Sequence, residues 1–311
     1  MTALSLSAQQ PEQVALARTM LESGDARGAF DYLWRFIQDA SFKNTSPKDR
    51  AAIYGSLGTL AHELGDYRVA EHGYRQAARL CESLSPMDVC AIAMSNNLAA
   101  IHLEYGDTDQ ARLEVQKYVD SDLVAQFGPT DREVLRRWSN RGSIEYAEKR
   151  PERAIPWHRM ALNGWRDRQQ LDSLEGIIAR TDIGIALHAA RQFREAELFL
   201  AGVLQSLKSQ PTHIQSRYPL TLAYLGEAKG MLGQTESASS LFVAATEDAI
   251  RRFGPTHPVT GAILVRRGEF LMRSGSTAEG KKLRKRGGGI LEAFRRAQGL
   301  NQSIDVRSLP P

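Results

Sequence analysis

The sequence predicts an all-α protein, a right-handed solenoid of about seven stacked helical hairpins. Three observations predict it: a pair of small residues twelve positions apart that recurs along the chain, a short polar turn inside each pair, and helix-start residues ahead of several pairs. The pairs are Ala17/Ala29, Gly58/Ala70, Ala99/Ala111, Gly142/Ala154, Gly184/Ala196, Gly226/Ala238 and Gly268/Gly280, stepped by 41, 41, 43, 42, 42 and 42 residues.

In chain order the turns are Gly24-Asp25, Gly65-Asp66, Gly106-Asp107, Lys149-Arg150-Pro151, Arg191-Gln192, Gly233-Gln234 and Gly275-Ser276, the polar, mostly glycine-bearing punctuation that joins helix to helix. Helix starts are marked at Ser46-Pro47, Ser85-Pro86 and Thr130-Asp131-Arg132-Glu133, where a hydroxyl can cap free amides and proline fits the first helical position. A small residue on each helix lets the two backbones approach. Apolar residues at helical spacing flank the crossing, as in Ile53, Leu57 and Leu60, or Ile183, Leu187, Leu198 and Leu200. One hairpin cannot bury that face alone, so neighbours stack on it. The array runs over residues 10–299, with units starting near residues 10, 51, 92, 135, 177, 219 and 261, between tails at 1–9 and 300–311. In the last unit Gly287-Gly288-Gly289 predicts a break or hinge, since mid-helix glycine costs about 1 kcal/mol relative to alanine.

Composition sets the bounds. Hydrophobic residues at 42% and charged residues at 24% fit a folded chain and exclude a disordered one. No run approaches the ~18 apolar residues of a membrane-spanning helix, so the chain is expected to be soluble. The cytoplasm is the expected compartment; export to a periplasm is the alternative, because Leu6-Ser7-Ala8-Gln9 resembles the tail of a signal peptide. Cys81 and Cys90 lack the spacing and the histidine neighbours of a zinc site; they are read as two partly buried thiols, with a disulfide as the other reading. Charge is uneven: residues 251–311 hold 13 Lys/Arg against 4 Asp/Glu, and the first 250 hold 27 against 32.

The run Tyr54-Gly55-Ser56-Leu57-Gly58-Thr59-Leu60-Ala61, followed by Gly65-Asp66-Tyr67, Ala70, Tyr74 and Ala77, resembles the tetratricopeptide repeat. Leu225, Gly226, Gly233, Ala238, Phe242 and Ala245 repeat the pattern. The long period, Phe253-Gly254-Pro255-Thr256-His257-Pro258 between units and Asn96-Asn97-Leu98-Ala99 in a first helix resemble the kinesin-light-chain subtype.

Stacked hairpins present their first helices to a concave groove suited to a peptide or partner protein. The resemblance implies that positions 2, 5, 6, 9 and 12 of each first helix, with the small residue as position 8, face that groove. This assigns Asn96 and Asn97; Arg136, Ser139, Asn140 and Tyr146; Thr181, Asp182 and His188; Tyr224 and Glu227; and Arg266 with Glu269. An asparagine amide both donates to and accepts from an extended peptide backbone. The family's carboxylate clamp for acidic chaperone tails is only partly present: its places hold Gly55 and Thr59, then Asn97, then Arg136 and Asn140. One cation where two or three are needed disfavours that ligand.

No nucleophile elbow, paired metal histidines or activated cysteine appears, so a binding scaffold is expected, with no enzyme activity, cofactor or metal. Gly275-Ser276-Thr277-Ala278-Glu279-Gly280-Lys281-Lys282 nearly spells a phosphate-binding loop, but Lys282 stands where the magnesium-binding hydroxyl belongs. The cations Lys281, Lys282, Arg284, Lys285 and Arg286, with Arg295 and Arg296, read as the solvated face of a capping helix. The alternative is an electrostatic footprint for nucleic acid or another anionic surface. Partner identity and homo-oligomerisation are open at this level.

Overall fold

A computed structural model describes residues 11–85, 87–210 and 217–297 of the chain, apart from the side chain of residue 105. Fifteen α-helices and one 3-10 turn make up the described residues, arranged as seven successive hairpins. They are α1 (Glu12–Glu22) with α2 (Ala26–Gln38), α3 (Pro47–Glu63) with α4 (Tyr67–Leu84), and α5 (Val89–Tyr105) with α6 (Thr108–Gln116) and α7 (Asp120–Phe127). There follow α8 (Arg132–Ala147) with α9 (Pro151–Asp167), α10 (Leu174–Ala189) with α11 (Phe193–Leu207), α12 (Tyr218–Met231) with α13 (Thr235–Phe253), and α14 (Pro258–Arg273) with α15 (Thr277–Ala297). The chain forms two compact units, one of residues up to His102 with Asp109–Leu123, the other of Leu103–Thr108 with residues from Val124 onward.

In the first unit the turn chemistry is legible in the residues. Gly24 and Gly65 take the left-handed backbone, at φ 92° and 76°, and the aspartate that follows each accepts a bond from the next helix, Asp25 from the Gly28 amide and Asp66 from the Val69 amide. Ser46 caps α3 by accepting from the Asp49 amide. The start expected at Ser85-Pro86 is displaced: α5 begins at Val89, where the Asp88 carboxylate accepts from the Cys90 amide at 2.8 Å, and Pro86 lies outside the described residues. The cysteines also differ from the thiol reading. Cys81 near the end of α4 and Cys90 in the first turn of α5 are joined in a disulfide, because the hairpin connection folds back and brings their Cα atoms to 5.8 Å.

The second unit shows why the small-residue pairs recur. Sixteen residues after the small residue of each first helix, the second helix sets a side chain against it. A Cβ on Gly142 would lie 2.6 Å from the His158 ring, one on Gly184 2.8 Å from Leu200, and one on Gly226 3.2 Å from Phe242. Most of the flanking apolar residues are buried as expected, but Leu198 faces solvent, one helical step off the packed stripe. His158 is the exception in chemistry: it sits fully buried where the α10–α11 and α12–α13 hairpins carry Leu200 and Phe242, and burial pushes its pKa down to about 4, so it packs as a neutral ring.

The last hairpin corrects the expected hinge. α15 runs unbroken through Gly287, Gly288 and Gly289, because Gly287 is required by packing: a Cβ there would lie 2.5 Å from the Gly261 carbonyl oxygen. Gly280 meets the Gly268 carbonyl in the same way, at 2.6 Å, so α14 and α15 lie almost backbone to backbone. The contact with α14 compensates for the low helix propensity of the glycines.

Candidate functional site

The residues two positions before the small residue in α8, α10, α12 and α14 are Asn140, Asp182, Tyr224 and Arg266, and they mark one face of the second unit. Around Arg266 this face is a bonded cluster. Its Nη1 donates to Glu227 Oε2 at 2.8 Å, its Nη2 donates to the Tyr224 hydroxyl at 2.6 Å, and its guanidinium lies 4.0 Å from the Tyr224 ring centroid. Tyr146, from α8, shares hydrogen bonds with both Tyr224 and Arg266. Burial works against the Arg266 charge, but Glu227 and the two tyrosines outweigh it and raise its pKa. Burial likewise raises Tyr146 and Tyr224, which stay neutral.

Asp182 stands apart. It is 7% exposed, yet among the described residues its carboxylate makes no hydrogen bond and no ion pair. Burial pushes its pKa up to about 7, with only the charge of Arg217 opposing. His188 lies on the same helix, its Nε2 buried without a hydrogen-bond partner and its pKa lowered by burial. Arg217 was not foreseen, since it precedes α12 and falls outside the repeat register.

Several expected groove residues are already engaged. The Thr181 hydroxyl donates to the Ile177 carbonyl, which takes it away from any ligand. Arg136 pairs with Glu133 at 3.0 Å, so even the single cation of the partial clamp is neutralised. Ser139 and Asn140 are half-buried on α8, and Glu269 on α14 is likewise half-buried. In the first unit Asn96 and Asn97 are buried on α5 and both are engaged in interactions there. Tyr146, Tyr224, Glu227 and Arg266 are thus brought together, and several of the other expected positions are already bonded or buried.

One group of metal-ligand side chains occurs among the described residues, Cys81, Asp88 and Cys90; the disulfide takes both sulfurs and leaves a single carboxylate. The near match to a phosphate-binding loop follows α14 instead of a strand, and Gly275 closes that helix at φ 96°. The basic residues lie along α15, where Lys281, Lys282, Arg284, Lys285, Arg286 and Arg296 are exposed and Arg295 is half-buried. No helix among the described residues is long and apolar enough to cross a membrane.

No family model matches the sequence, and no curated protein matches it. Solved structures do match. The Rap conjugation gene regulator of the plasmid pLS20, solved in complex with the Phr* peptide, is 16% identical over 94% of this chain and 76% of its own, with a TM-score of 0.69. A Rap protein complexed with competence and sporulation factor is 11% identical over 94% and 90%, at 0.65. The apo form of RapI is 9% identical over 91% and 96%, also at 0.65. At the level of fold, the chain is a tetratricopeptide-like array of helical hairpins.

Proposed function

We propose that the chain is a binding scaffold that receives an extended peptide, or an extended segment of a partner protein, on the inner face of its second unit. The observation that carries this reading is Asp182, a residue only 7% exposed whose carboxylate makes no hydrogen bond among the described residues, in the row formed with Asn140, Tyr224 and Arg266. Burial disfavours its charged form, and a hydrogen-bond donor brought by a ligand offsets that cost. Asn140, at the same register of α8, is itself engaged in an interaction and carries an amide that can both donate and accept. The pLS20 regulator with its peptide supports the same kind of ligand. The reading includes no catalytic step.

Selection of a random peptide display library on the immobilised chain tests it. Selected peptides should lose at least about tenfold in affinity, roughly 1.4 kcal/mol, on Asp182→Asn or Asn140→Ala. Peptides indifferent to both substitutions would overturn the reading. Location is tested through the cysteines: the disulfide belongs to an oxidising compartment, whereas a cytoplasmic chain carries two thiols. Alkylation of the protein at the moment of lysis separates the two.

A further inference from the structure

The outward face of α15 is explained neither by the repeat nor by the peptide-binding reading. Lys281, Lys282, Arg284, Lys285 and Arg286 are all exposed, and among the described residues none of them has an ion-pair partner. Farther along, Arg296 is exposed and pairs with Glu292, the single acid between Lys281 and Ala297. At helical spacing Lys281, Lys285, Gly288/Gly289, Glu292 and Arg296 form one stripe, with two bare glycines between a dense cationic patch and a sparser one.

Those two glycines separate from the third. Gly287 is held by its contact with α14, whereas a Cβ on Gly288 or Gly289 would meet nothing within 4 Å. The fold therefore gives no reason for either, and each weakens the helix that carries it. A helix surface with no side chains, set between cations, allows a charged polymer to lie against the backbone itself. We infer that this face of α15 docks duplex DNA through its phosphates, with the glycine gap as the point of closest approach.

The chemistry of the face selects that occupant. A membrane-surface helix needs an apolar face to insert, and here the apolar side, Leu283, Ile290 and Leu291, is turned inward and at least half-buried. Single-stranded nucleic acid is held largely by aromatic stacking, and the exposed positions of α15 carry no aromatic residue; Phe294 is half-buried. Cations without stacking groups or apolar anchors suit a phosphate backbone, and the ~12 Å major groove of B-DNA admits a helix.

The test measures fluorescence anisotropy of a labelled DNA duplex of arbitrary sequence with the full chain, at 50 and 200 mM salt, alongside phosphatidylserine vesicles. With about four phosphate contacts, affinity should fall about 100-fold across that salt range. The exposed charge reversal Lys281→Glu/Lys285→Glu should abolish binding while leaving the melting temperature unchanged. Gly288→Ala/Gly289→Ala should raise the melting temperature yet weaken DNA binding severalfold. DNA binding that survives the charge reversal, a preference for the vesicles, or tighter binding by the alanine pair would each overturn the inference.

Discussion

The two charged faces of the second unit treat arginine in opposite ways. On the inner face Arg266 is 4% exposed, is held by Glu227 and Tyr224, and lies over an aromatic ring. On the outer face of α15 five cations within residues 281–286 stand in solvent, none with an ion-pair partner among the described residues. Charge that is buried and bonded fixes the relative register of α12 and α14, and removing one member leaves the other stranded. Exposed charge costs the fold almost nothing and is available to an external ligand. A count of Lys and Arg cannot tell these cases apart.

The largest expected effect breaks the inner pair. Glu227→Ala should destabilise the chain by about 3–5 kcal/mol, because Arg266 stays buried and charged, whereas Lys281→Glu/Lys285→Glu should change stability by less than about 0.5 kcal/mol. Equilibrium urea unfolding of both variants measures the contrast, and equal losses would erase the distinction.

Acid probes the buried side next. The folded pKa of His158, about 4, lies below its ordinary 6.5, so the folded chain disfavours the protonated ring. Its contribution is intact above pH 6.5 and is lost as pH falls toward 4, by up to about 3 kcal/mol. His158→Phe, which copies the residue the α12–α13 hairpin uses at this place, should flatten stability across that window; an unchanged slope would assign the acid sensitivity to other groups.

Asp182 should respond in the opposite direction. Its folded pKa, about 7, lies above the ordinary 3.8, so the fold favours the protonated acid and loses stability as pH rises from 3.8 through 7. Asp182→Asn should stabilise the free chain by about 1–3 kcal/mol at pH 8 while weakening peptide binding. A smaller gain, about 1–2 kcal/mol, is expected from Gly288→Ala/Gly289→Ala on helix propensity alone, with Gly287→Ala instead destabilising through its contact with Gly261. Thermal melts of the variants show whether the three glycines separate in this way.

The register of the fold was legible because its signals are local. Gly58, Gly142, Gly184 and Gly226 announce close helix crossings, and Gly24-Asp25 and Gly65-Asp66 supply a turn and a cap within two residues. Ser46 and Asp131 cap where the sequence placed helix starts, although at Thr130-Asp131 the carboxylate does the work of the expected hydroxyl. The site was legible only as a set of positions. Arg266 finds Glu227 39 residues away and Tyr224 42 away, contacts that depend on how closely one hairpin stacks on the next. The unbroken α15 was hidden for the same reason: mid-helix glycine predicts a hinge until the backbone of α14 is seen against Gly287. The Cys81–Cys90 bridge depends on how the α4–α5 connection folds back, which spacing alone leaves open.

The central claim is that the peptide enters at the inner face and not along α15. It is tested most directly by titrating one display-selected peptide into the wild type, Asp182→Asn and Lys281→Glu/Lys285→Glu. At least about a tenfold loss is expected for Asp182→Asn and no change for the charge reversal. Full affinity in Asp182→Asn together with a loss in the charge reversal would contradict it.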